Sequence, residues 1–229
     1  MTQSSNRPDA QLIPIRRGVD LPRRARDPRI DAFRGLALIM IIIDHMPGNP
    51  WEHLTIRNIG FSDAAEAFFI MSGIAAGIAY SPAIGRWMSG ELRLWDAMAP
   101  LWRRAWQLYI VHIVLTVAAI GLYAWAADTF VRSEFRVMHN LALLYDQTGA
   151  AMAGLVTLGY QIGYVNILPS YTVLLLAGPA LIAAVLYAPR TTLAVAGAFW
   201  LYAGATRLTI PNHPGGGGWF FNPLTWQFI

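Results

Sequence analysis

Cysteine and lysine are both missing from this chain, and charge is scarce. Without cysteine there is no disulfide, no thiolate metal site and no enzyme thioester intermediate. Without lysine there is no Schiff-base catalyst and no phosphate-binding P-loop, and all 17 basic residues are arginines. Only 13% of the 229 residues are charged, about half the fraction usual for a soluble domain. The gap is filled by apolar residues: 55% of the chain is hydrophobic and the mean hydropathy is +0.41. These values describe an all-α, polytopic transmembrane helical bundle with a polar N-terminal arm, whose first partner is the lipid bilayer. The net charge of +4 does not point to nucleic acid, because the arginines cluster beside apolar runs and mark topology.

In chain order, residues 1–28 are rich in Arg, Pro, Asp and Ser without an apolar period, and read as a disordered cytoplasmic tail. No short apolar core with a small-residue cleavage site precedes the first span, so no signal peptide is expected. Eight arginines at or before Arg34, against four aspartates, place the N-terminus inside. The first span is expected at about 30–47, running outward to Pro47-Gly48-Asn49-Pro50. A second, at about 62–82, has Ser62 as a plausible N-cap and the small residues Gly73, Ala76 and Gly77 on a packing face. Residues 82–100 look amphipathic and are expected on the inner surface. Further spans are expected at about 102–126, 166–187 and 191–208, with a polar outer segment at 128–148. Residues 149–162 are apolar but too short to cross, since a span needs about 20 residues, and read as re-entrant or interfacial. A last apolar stretch begins at Leu224 and stops at Ile229. The pattern is therefore about five complete spans plus a truncated sixth, the N-terminal part of a larger domain.

Within the first span, Arg34 and His45 are eleven residues apart. At about 100° per residue they share a helix face to within roughly 20° and stand about 16 Å apart along the axis. Ionisable groups in a membrane are costly, so a cation and an imidazole on one stripe point to function rather than packing. The imidazole can serve as a general base. Asp44 is about 100° round the helix from it, so Glu66 or Asp63 on the second span is the better orienting carboxylate. The structural alternative for both carboxylates is placement at the positive end of a helix. Taken singly, Arg34, Arg103 and Arg104 read as inner-side topology markers; together they would form an inner cluster able to hold phosphates through bidentate contacts. His112 reads as a hydrogen-bonded packing residue near mid-membrane. No two of the five histidines are spaced i, i+4, and no metal site is expected.

The runs RIDAFRGLALIMIIIDH (29–45), GFSDAAEAFFIMSGIAAGIAY (60–80) and LWRRAWQLYIVHI (101–113) resemble membrane acyltransferases of the acyltransferase-3 superfamily. Within it the likeness is to the OpgC group, associated with succinylating osmoregulated periplasmic glucans. The NILPSY segment at 166–171 and WFFNPLTWQ from Trp219 add to that likeness. The resemblance covers about residues 27–229. It implies acyl transfer across a bacterial inner membrane, from a cytoplasmic acyl-CoA, succinyl-CoA being the expected donor, to a glycan acceptor outside. Arg34, Arg103 and Arg104 would then hold the donor's phosphates. His45 would carry the acyl group or deprotonate the acceptor hydroxyl. A proton-coupled transporter using Glu66 and His112, or an O-acyltransferase acting on another envelope polysaccharide, would fit the same residues.

Overall fold

A computed structural model describes residues 27–46, 48–59, 63–209, 211–215 and 218–219. The N-terminal tail to residue 26, Ser62 and the stretch from residue 220, including the expected sixth span, lie outside the described residues. Everything described is helix, 3-10 turn or loop, joined by one isolated bridge between Pro211 and Gly218. The helices are α1 Pro28–Asp44, α2 Ile56–Ile59, α3 Ala64–Met88, α4 Leu94–Thr129, α5 Ala142–Asp146, α6 Thr148–Val156, α7 Ile167–Tyr187 and α8 Pro189–Thr206.

Helices α3, α4 and α7 are long and apolar enough to cross a bilayer, and they pack against one another. The protein is a helical membrane protein built on this trio, with α1 laid on α3 and α8 on α7. At 17 residues, α1 is about 25 Å long, slightly less than the ~30 Å hydrocarbon core. It buries only Ala37, and its Phe33, Leu36, Leu38, Ile39 and Ile42 are exposed, as on a lipid-facing helix. Helix α8 occupies the region expected for the fifth span, but it opens on Pro-Arg-Thr-Thr, which dilutes its apolar run.

Helices α4 and α7 run antiparallel. Trp102 Nε1 donates to the Leu176 carbonyl at 3.2 Å; further along α4, Ala105 and Leu108 pack on Leu175 with Leu168 and Tyr171. Still further, His112 meets the Val165 carbonyl. The close approach depends on a small residue, because a Cβ at Gly178 would lie 2.7 Å from Leu101.

The expected surface segment at 82–100 does not exist as such. Helix α3 continues through Pro82 to Met88, and α4 begins at Leu94 and contains Pro100. The apolar residues between the charges pack inward, where Ala83, Ile84, Leu92 and Ala97 form a buried cluster with Trp87, Ile182 and Ala183. The charges tie the turn: Arg86 pairs with Glu91 at 3.3 Å, Ser89 Oγ donates to Glu91 at 3.0 Å, and Gly90 takes a φ of 80°. With 36 residues, α4 is about 54 Å long and extends well past the span expected at 102–126.

Residues 149–162 are not a span. Helix α6 has nine residues, about 13 Å, and the chain then reverses through Leu158 at φ 61°. The Tyr109 hydroxyl on α4 holds the end of α6 by donating to the Val156 carbonyl at 2.8 Å. Leu141, Leu144, Ala151, Leu155, Tyr160 and Ile162 bury one another against the Ala119–Tyr123 face of α4.

Candidate active site

Arg34 stands in the second turn of α1, where α1, α3 and α7 meet. Its guanidinium carbon lies 5.8 Å from the ring centre of Phe68 on α3. Phe68 meets Tyr171 of α7 edge to face at 5.9 Å. Asp31, one turn earlier, approaches Arg34 at 3.7 Å, and Arg34 Nε is buried without a hydrogen-bond partner among the described residues. A buried N–H of this kind is a donor left without an acceptor.

Arg103 and Arg104 are exposed on α4, Arg104 donating to Gln107 at 3.4 Å. Their neighbour Ala105 shares a cluster with Tyr171, which reaches Arg34 through Phe68. Arg34 faces the helix junction, whereas the pair is turned outward.

Asp63 is the N-cap of α3, its Oδ1 accepting from the amides of Ala65 at 2.8 Å and Glu66 at 3.1 Å. Capping therefore rests on Asp63 rather than on Ser62. Glu66 is half-buried in the first turn. Among the described residues neither carboxylate is hydrogen-bonded to His45, whose Nδ1 contacts the Ile41 carbonyl instead. Phe68, in the second turn of α3, meets Arg34.

His45 is held differently. Its Nδ1 is 2.6 Å from the Ile41 carbonyl one turn back. A carbonyl only accepts, so Nδ1 carries a proton, and in the neutral ring Nε2 presents a lone pair. Asp44 is turned away and accepts from the buried Thr55 hydroxyl at 2.6 Å. The His45 ring meets Tyr164 edge to face at 5.1 Å. Tyr164 lies 4.2 Å from His139, and His139 lies 5.6 Å from Tyr123 of α4. Four rings from four parts of the chain thus form a row at one end of α1.

The loops carrying this row are tightly clamped. His139, Asn140 and Tyr164 have φ values of 54°, 70° and 71°, a left-handed region that side-chain-bearing residues seldom enter. The Gly163 amide donates to the His139 carbonyl at 2.9 Å, Asn140 Nδ2 donates to the Gln161 carbonyl at 3.0 Å, and the Tyr160 hydroxyl donates to the Asn140 carbonyl. Partial burial, with a smaller contribution from the nearby His45 imidazole, holds the His139 pKa below the usual histidine value.

His112 is fully buried between α4 and α7, its Nδ1 donating to the Val165 carbonyl at 3.2 Å. That bond leaves Nε2 as an unprotonated acceptor, buried without a partner among the described residues. The hydrogen-bonded packing role is present, and it accounts for only one of the two ring nitrogens.

Sequence reasoning missed His139, Tyr123 and Tyr164. Periodicity says nothing about a loop, and the signal closest to them was Gly163 beside an aromatic residue. A family model described as OpgC protein matches residues 26–229. No curated protein and no solved structure matches the chain.

Proposed function

The chain belongs to the OpgC family, an OpgC-type glucan-modification protein, and on that premise we propose that it is an integral-membrane O-acyltransferase. The donor is a cytoplasmic acyl-CoA, succinyl-CoA by family resemblance, and the acceptor is a hydroxyl of a periplasmic glucan. The observation that carries the reading is α1 itself. One helix holds a buried, unsatisfied guanidinium N–H at Arg34 and, about 16 Å along, an imidazole with its Nε2 lone pair free. An anion-holding group and a base at opposite ends of one helix suit a donor whose phosphates and thioester are separated by a long arm.

In this reaction His45 Nε2 takes the proton of the acceptor hydroxyl as its oxygen attacks the thioester carbonyl carbon. The C–O bond forms, the C–S bond breaks, and the imidazolium returns its proton to the departing thiolate. Arg103 and Arg104 supply exposed cations for the donor's phosphates. Membranes carrying the chain, given isotope-labelled acyl-CoA and glucan, should yield labelled glucan ester by mass spectrometry. Label recovered only as free acid or unreacted donor would reject the reading.

A proton-coupled translocator is the second reading, and His112 is the observation that favours it, since a buried free Nε2 can carry a proton. It predicts glucan movement without ester formation in the same experiment.

A further inference from the structure

Tyr164 joins a strained backbone and substantial exposure to an aromatic ring beside His45. Its backbone sits at φ 71°, where glycine is comfortable and an aromatic residue is strained. The residue is 45% exposed, so burial offsets little of that strain. Chain reversal alone would be better served by glycine or asparagine. Strain of this kind persists where surroundings enforce it, and it clusters at ligand-binding sites. Here the surroundings do enforce it: the preceding amide is bonded to His139, and the ring is bracketed by His45 at 5.1 Å and His139 at 4.2 Å.

We propose that Tyr164 is the acceptor-binding platform of the site, a ring on which a sugar unit of the glucan lies while its hydroxyl reaches His45. The proposal rests on the acyltransferase reading and deepens it by assigning the acceptor subsite. A pyranose has a face of C–H bonds that matches the negative face of an aromatic ring, with hydroxyls around its rim. Tyr164, half-exposed as a residue, offers the first surface on whatever part of its ring His139 and His45 leave open, and His45 Nε2 is the partner for a rim hydroxyl. His139 acts through Tyr164 and is a positioning residue, held in its own left-handed conformation against the ring. The half-buried Tyr123 backs His139 from α4.

The backbone supplies the test. Tyr164→Gly and Tyr164→Asn both tolerate a positive φ, so they delete the ring while sparing the turn; Tyr164→Trp keeps a platform. Initial rates are measured on the whole chain in native membranes, with a gluco-oligosaccharide varied at saturating acyl-CoA and then the reverse. The Gly and Asn variants should raise the acceptor KM at least ten-fold and leave the donor KM within two-fold, with the Trp variant within three-fold of wild type. An acceptor KM within two-fold of wild type in the Gly and Asn variants overturns the proposal. So does a parallel loss of both KM values and kcat, the mark of a structural role, or loss from the membrane with unchanged KM, the mark of an interface anchor. If the wild-type chain turns over no donor, the acyltransferase reading itself fails. Ligand-detected NMR with the same oligosaccharide then decides the platform: saturation transfer lost in Tyr164→Gly supports it, and transfer retained overturns it.

Discussion

Gly163 and His139 approach so closely that no side chain fits between them. A Cβ at residue 163 would lie 2.9 Å from the His139 Cβ and 3.0 Å from its Nδ1. The obstructing Cβ is fixed to the backbone and cannot swing aside. The glycine is thus what lets one loop deliver His139 to the row that ends at His45.

Gly163→Ala should therefore be worse than an ordinary loop substitution. Forcing an extra methyl into a packed contact typically costs about 1–3 kcal/mol. Thermal unfolding in detergent should show that loss. Glucan acylation per folded molecule should fall as His139 is displaced from Tyr164. Wild-type melting and wild-type activity together would mean that the loop shifts freely.

His45→Ala should leave abundance near normal and abolish acyl transfer. His45 is exposed, and its side-chain hydrogen bond runs to the Ile41 carbonyl of its own helix, so truncation should cost only about 1 kcal/mol. A positioned base commonly supplies about 100- to 10,000-fold in rate. Mass spectra of purified glucan beside an immunoblot of membranes give both numbers. Acylation at near wild-type yield would reduce His45 to a helix-end residue.

Asp63→Ala should show the opposite pattern, with lower stability and unchanged turnover per folded molecule. Loss of an N-cap usually costs about 0.5–2 kcal/mol, and Asp63→Ser should restore it. A variant present at full abundance but inactive would put Asp63 in the chemistry instead.

Arg103→Ala with Arg104→Ala should weaken the donor without disturbing the fold. Both side chains are exposed, so little packing is lost. The expected result is a higher KM for acyl-CoA, an unchanged KM for glucan and normal membrane abundance. Lost abundance with an unchanged donor KM would make the pair topology markers.

The sequence revealed helices far better than it revealed their neighbours. The regions expected for α7 and α8 match the structure to within a few residues, because long apolar runs bounded by Pro and polar residues leave little choice. The stretch 82–100 was misread because scattered charges suggested a surface helix, while the apolar residues between them close a helical hairpin. The spacing of Arg34 and His45 was legible because one lies in α1 and the other caps it, and helix geometry alone fixes their separation. The partners of His45 were not legible. His139 and Tyr164 reach it from loops in left-handed conformations, and no periodic pattern encodes that.

The chain reversal after α6 ties its closure to residues far later in the chain. Where the chain reverses beside α4, its carbonyls lack helical partners, and hydrocarbon offers none. Some are met nearby: Tyr109 serves Val156, and the Tyr160 amide serves Gly154. Gly159, however, accepts from the amide of His213, and Leu158 accepts from the indole of Trp219. Those donors lie beyond α8 and leave the ribosome long after the turn itself. The reversal thus gains its full set of partners only when the residues past α8 fold back onto it.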